Sequence, residues 1–229
     1  MKTVIITGAN GNLGTAVTQT FLNKGYRVIA TVFEEKMIAE FISHTNLDVR
    51  VVNLSDDGAT AGFIASVIRQ YEKIDAALML VGGFAMGGID ATAVADIDKQ
   101  ISLNFKTAYH VTQPVLQHMK AHGAGRLVFI GARPAIEASQ GKDMVAYGLS
   151  KSLLFKLAEY INAENKGSNI TATVVAPSTL DTPLNRKSMP NTDPEIWVKP
   201  AALAEILEFV VSDKSEVIRE AVLKVYNNA

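Results

Sequence analysis

Two kinds of hydrophobic pattern alternate along this chain. Short runs such as TVIIT, AALMLV and RLVFIG are apolar at nearly every position, while longer stretches place apolar residues three or four apart. The first kind suits strands covered on both faces, the second suits helices with one buried stripe. Strands are predicted at Thr3–Thr7, Arg27–Val32, Val49–Asn53, Ala76–Val81, Arg126–Ile130, Thr171–Val175 and Ala221–Tyr226. Helical spacing covers 13–24, 34–43, 58–72, 93–121, 144–165 and 201–212. Strands separated by helix-length segments form βαβ units with right-handed crossovers and a parallel sheet. The expected fold is therefore α/β: a single domain over 1–229, doubly wound, about seven strands with helices on both faces.

Composition narrows what such a domain can do. At 229 residues, 48% hydrophobic and 20% charged, the chain fills one sizeable core. A net charge of -1 gives no reason to expect nucleic acid or an anionic membrane as partner. There is no cysteine, which excludes disulfides, thiol catalysis and cysteine metal sites. His44, His110, His118 and His122 form no ligand spacing with carboxylates, so no metal is expected. MKTVIITGAN is too short for a secretory signal, and no apolar run approaches the ~20 residues of a membrane span. A cytoplasmic protein acting on a small molecule is expected. Residues 177–200 differ from the rest, holding five of the seven prolines. They are too long and irregular for a simple connection, and read as a flap over a site at about 178–200.

TGANGNLG, residues 7–14, follows the first strand and opens the first helix. Gly8, Gly11 and Gly14 let the backbone turn sharply and approach a pyrophosphate, whose charge then sits at a helix N-terminus. In this Rossmann-type setting Asn10, Asn12 and Leu13 join the glycines as candidate dinucleotide contacts. After the second strand the sequence reads TVFEEK, with Phe33 where an acid often stands and Glu34 next to it. An acid here would bind the adenosine ribose hydroxyls and repel a 2′-phosphate, which favours NADH. Lys36 leaves NADPH open, and the glutamates also serve simply to begin the next helix.

Tyr147 and Lys151 lie four apart in a helical stretch, hence on one face. Free tyrosine titrates near ~10, and a neighbouring ammonium stabilises its phenolate, bringing the group towards working pH as an acid/base. Asn104, in QISLNFKTAY, is a poor helix former inside an otherwise good helix; it is either functional or merely satisfied in place.

Taken with NLSD at 53–56 and a proline closing the sixth strand, these motifs resemble the short-chain dehydrogenase/reductase family over essentially the whole chain. The resemblance implies a tyrosine that exchanges a proton with substrate, a lysine that tunes it and binds the nicotinamide ribose, and an asparagine that holds a water or backbone link. It also implies cofactor contacts from Asn53 and Leu54, from Gly82 and Gly83, and from Pro177 and Thr182 beside the nicotinamide end. Thr182 reads first as a hydrogen-bond partner of the carboxamide or pyrophosphate, with a loop cap as the lesser alternative, and Asp56 equally as an N-cap for the next helix. The family commonly dimerises through the two helices at 93–121 and 144–165, so a homodimer is expected.

Two places depart from the family pattern. The serine expected about a dozen residues before the tyrosine is missing: the segment reads GARPAIEAS, and Ser139 is more fitting as a loop hydroxyl. The usual Asn-Ala-Gly after the fourth strand is replaced by Gly82-Gly83-Phe84. At both places, and at TLDTPLNRKSMP in 179–190, the chain is similar to the dihydropteridine reductase subgroup. That resemblance implies a substrate pocket including Phe84, Ala132, Arg133 and Tyr147. A carbonyl oxygen gains on the order of 3 kcal/mol from a dedicated donor, whereas a quinonoid dihydropterin spreads charge over several nitrogens. One proton donor then suffices, with Phe84 supporting the flat ring. The alternatives are a general carbonyl or quinone reductase and a non-catalytic dinucleotide sensor; the intact Tyr147/Lys151 pair argues against the latter. Trp197 either covers the pocket or pins the flap to the body.

Overall fold

The computed structural model describes residues 1–228; Ala229, the last residue of the expected domain, lies outside them. Seven strands form one sheet: β1 (Thr3–Ile6), β2 (Arg27–Val32), β3 (Leu47–Val51), β4 (Ala76–Met79), β5 (Ala124–Ile130), β6 (Asn169–Pro177) and β7 (Val222–Val225). Their order is β3-β2-β1-β4-β5-β6-β7, and every neighbouring pair is parallel. All strand C-termini therefore share one edge.

Alternation along the strands divides the core in two. Ile5, Ala77, Met79, Leu127, Phe129, Ala172 and Val174 face one side. There they meet helices α2 (Asp57–Tyr71), α4 (Thr107–His122) and α6 (Val145–Glu164). Their neighbours Val4, Ile6, Ala76, Leu78, Val128, Ile130 and Val175 face the other, against α1 (Asn12–Asn23) and α8 (Pro200–Val211). The continuous apolar runs of the sequence are thus two interleaved sets, each serving one layer.

The expected elements are present, with three corrections. The helix expected at 34–43 is only a 3-10 turn, Glu35–Glu40, in which no residue is buried. Without a stripe to bury, the segment gains nothing from tertiary packing, which supplies most helical stability. The long helix expected at 93–121 is divided into α3 (Val94–Ile101), a π-helical turn (Ser102–Lys106) and α4. The third strand lies two residues earlier than expected, at 47–51 rather than 49–53, which places Asn53 beyond its end. Asp56 caps α2, accepting from the Ala59 amide.

Two short helices complete the set: α5 (Ala138–Gly141) before α6, and α7 (Pro183–Ser188) inside the flap. The flap closes on itself at its base, where the Val198 amide donates to Thr179 O and the Asp181 amide to Val198 O. Trp197, in the same segment, is 2% exposed.

Candidate active site

The crevice forms where the chain order reverses. From β1 the chain winds outward through β2 and β3, then returns to β4 on the other side of β1. Ligands of open parallel sheets bind outside the strand C-termini at such a switch point. Thr7 ties its two walls together: its Oγ1 accepts from the Leu80 amide at 2.9 Å, and its amide donates to Leu78 O at 3.0 Å.

The glycine-rich turn lies on the β1 side. A Cβ on Gly14 would stand 2.2 Å from Gly8 O and 2.8 Å from Ala9 Cα, so backbone fills the space that a side chain would need. Helix α1 then starts at Asn12, after Gly11 as an N-cap with no side-chain bond to give, and Gly11 and Asn12 are exposed. Uncapped amides at the positive end of a helix favour an anion. A pyrophosphate fits this cradle, held by the backbone of Gly8 to Gly14. Of the side chains expected to join it, Asn10 is turned towards Glu40, donating at 3.3 Å, while Leu13, in the first turn of α1, is partly buried.

Further candidates follow successive strand ends. Phe33 is 62% exposed just beyond β2, and Glu34 pairs with Lys36 at 2.6 Å. Beyond β3, Asn53 accepts the Ser55 amide and Leu54 is buried, its carbonyl bonded to His110 Nδ1. Pro177 closes β6. Thr182 is buried and caps α7, accepting from the Asn185 amide at 3.2 Å, which is the cap role rather than a free hydroxyl acceptor.

The chemistry gathers between β4, β5 and α6. Asn104 is 1% exposed and sits in the π-helical turn. Its Oδ1 accepts from the Gly83 amide at 2.8 Å; its Nδ2 faces Gly83 O, Gln100 Oε1 and Ser150 Oγ at 3.0, 2.8 and 3.0 Å. Ser150 Oγ in turn donates to Tyr147 O. One amide thereby joins the loop after β4, the break between α3 and α4, and α6. Such single-turn π segments often mark functional sites. Gln100 and Ser150 went unrecognised in the sequence, although Gln100 is one helical turn before Asn104 and Ser150 immediately precedes Lys151.

Lys151 is buried, and its Nζ donates to Ile130 O at 2.8 Å. Burial lowers its pKa to about 8. Tyr147 is only partly covered by the fold, yet desolvation pushes its phenol up to about 12. This reverses the expected lowering: the ammonium is committed to a carbonyl, and burial is the dominant influence on the phenol. Burial thus adds to the preference an ordinary phenol already has at neutral pH for the protonated form, the one that donates.

The substrate side is shaped by GGFAMGG. Gly87 pairs with the segment just before Tyr147: its amide donates to Asp143 O, and the Val145 amide donates back to Gly87 O. This strap brings Phe84, 61% exposed, edge-on to Tyr147 with ring centroids 5.2 Å apart. Ala132 is buried after β5, where a serine was expected, and Ser139 is exposed on α5. Arg133 binds Glu137 Oε2 at 2.9 Å and stacks over the Tyr226 ring at 4.8 Å.

Among the described residues no group of three His, Asp or Glu side chains could hold a metal, and no helix is long and apolar enough to cross a membrane. The His118 and His122 rings lie with centroids 4.1 Å apart, tilted by 40°, and His118 Nε2 accepts the Ile74 amide.

Known proteins resemble this chain in sequence and fold over most of its length. The profile of the short chain dehydrogenase family matches residues 2–193. The 2-(R)-hydroxypropyl-CoM dehydrogenase of Xanthobacter autotrophicus is 27% identical over 194 residues, covering 81% of this chain and 77% of its own. The dihydropteridine reductase of Dictyostelium discoideum is 26% identical over 212 residues, covering 90% and 86%. A Burkholderia thailandensis oxidoreductase of the short chain dehydrogenase/reductase family superposes with a TM-score of 0.86 at 26% identity, over 98% of this chain and 90% of that one.

Proposed function

The chain belongs to the short-chain dehydrogenase family, whose members are NAD(P)-dependent oxidoreductases, and we propose that it reduces a quinonoid dihydropteridine or a similar flat heterocycle. The observation that carries this reading is the pairing of Phe84 with Tyr147, together with a buried Ala132 after β5 whose side chain offers no hydrogen bond to a carbonyl oxygen. A planar conjugated ring rests against an exposed aromatic face and needs only one proton.

The reduced dinucleotide, when bound, supplies hydride to the substrate. The phosphate turn at Gly8–Gly14 would hold its pyrophosphate, Glu34 its adenosine ribose, and Lys151 its nicotinamide ribose, near Gly82, Pro177 and Thr182. Tyr147 gives its phenolic proton to a ring nitrogen of the substrate. Its high pKa keeps that proton in place at neutral pH until the nitrogen becomes basic enough to take it. Asn104 contributes no proton; it holds the Gly83 backbone and α6 in register, so that Phe84 and Tyr147 keep their spacing. NADH is the proposed cofactor because Glu34 follows β2. Lys36 at 2.6 Å offsets part of the repulsion of a 2′-phosphate, so the preference is modest. Exposed Leu149, Leu153 and Tyr160 along α6, with Tyr109 on α4, support self-association through these helices.

Steady-state reduction of quinonoid dihydropterin with NADH and then NADPH tests the reading, beside a panel of ketones and quinones. Pterin turnover should lead the panel and fall by about 10² or more in Tyr147→Phe. Ketone turnover exceeding pterin turnover would remove the substrate proposal, and a large NADPH preference would remove the role given to Glu34.

A further inference from the structure

The two residues that leave β7 bind more of the crevice rim than an ordinary strand exit requires. Tyr226 O accepts from Ser178 Oγ at 2.7 Å, in the loop after β6. The Tyr226 ring carries the Arg133 guanidinium from the loop after β5. Asn227 then adopts φ +53, a left-handed conformation uncommon for any residue but glycine and best tolerated by asparagine. That conformation is put to use: Asn227 Nδ2 donates to Glu195 O at 3.1 Å and to Trp197 O at 3.0 Å, on the returning limb of the flap.

The flap has few other anchors of this kind. The side-chain bonds given by Asn185, Arg186 and Ser188 all end within it, on Leu180 O, Asp181 and Leu184 O. Its base is a single bridge between Leu180 and Val198, directly beside the Trp197 carbonyl that Asn227 holds. Besides the burial of Trp197 and Val198, such a unit depends on the few polar bonds at its base to hold it in place.

We propose that Asn227 is a positioning residue for this flap, its side-chain amide clamping the returning limb so that the flap base stays closed over the crevice. The inference rests on the proposed function only in taking 178–200 as the flap over the site. Thr182 and Pro177, at and just before the outgoing limb, would be held in place for the dinucleotide by the same clamp.

Hydrogen exchange on the whole protein without substrate tests it, with Asn227→Gly and Asn227→Asp. Glycine accepts the backbone conformation and removes the amide; aspartate keeps the shape and lacks the N–H donors. Two lost hydrogen bonds should speed exchange of the Asp181 and Val198 amides about 10- to 30-fold, with β1 and β5 unchanged. Acrylamide quenching of Trp197, the sole tryptophan, should rise in parallel, and calorimetric titration should show weaker NADH binding. Flap exchange and Trp197 quenching unchanged in either variant would overturn the proposal. So would equal acceleration of flap and core, which marks a purely global stability role. None of these readouts uses the pterin, so failure of the substrate reading appears separately, in turnover alone.

Discussion

Gly82→Ala is the most direct probe of the catalytic frame. A Cβ at this position would stand 2.7 Å from Asn104 Oδ1 and 3.1 Å from Lys151 Nζ. Neither atom can retreat cheaply. Asn104 is buried and bonded to Gly83, Gln100 and Ser150, and Lys151 is buried against Ile130 O. Overpacking of this kind costs about 1–3 kcal/mol, including the loosened Gly83–Asn104 bond. The gain from a stiffer unfolded chain returns roughly 0.4–1 kcal/mol. The net loss is about 1–2 kcal/mol, which for a chain of this length lowers Tm by about 2–8 °C. Activity should suffer more than stability, because the displaced groups are the amine and the amide that fix the site. Gly83→Ala is the control: its Cβ would meet only the Leu103 Cδ2 methyl, at 2.5 Å, on a partly buried side chain that can rotate. Thermal melts and steady-state turnover of both variants decide the matter. A Gly82→Ala protein that melts and turns over like the unsubstituted one would refute the rigid frame described here.

Further expectations follow from single groups. Lys151 has a folded pKa near 8 against about 10.5 unfolded, so the unfolded chain binds the extra proton between these values and stability rises with pH across that window. Lys151→Met should abolish the rise seen in pH-dependent denaturation, while turnover collapses at every pH. Burial also lowers His118, with His122 adding to the effect and Asp75 opposing it. Its contribution is therefore present above about 6.5 and lost as pH falls below it, since protonation removes the acceptor for the Ile74 amide. Denaturation between pH 7 and 5 should show this loss, and His118→Gln should flatten it. Ala132→Ser should raise ketone turnover relative to pterin turnover, by up to about 10², if the added hydroxyl reaches a carbonyl oxygen. Equal effects on both substrates would contradict the role assigned to that position.

How legible these features were depended on the range of the interactions behind them. The five inner strands were readable because both faces of each are buried, and an apolar run announces that locally. Gly8, Gly11 and Gly14 were readable because their spacing, position and mutual contacts lie within one short turn. Asn104 stood out as a poor helix former, but the π-helical turn it occupies depends on Gly83 and Ser150, 21 and 46 residues away. No local pattern encodes that. The 3-10 turn after β2 was misread for a related reason: its sequence permits a helix, and only the absence of a surface to pack against prevents one. The raised phenol pKa of Tyr147 was illegible as well. Spacing places the lysine nearby, yet whether the ammonium faces the phenol or a carbonyl is settled by the strand it packs beneath.

The strap between Gly87 and the segment before Tyr147 runs entirely through main-chain groups of Gly87, Asp143 and Val145. Holding and reading are thus divided between different atoms of the same loop. Phe84 and Met86, both largely exposed, can be exchanged for other side chains without loosening the bonds that set their distance from Tyr147. The loop is in effect an interchangeable lining on a fixed mount, and libraries confined to positions 84 and 86 should redirect substrate choice while leaving proton delivery intact.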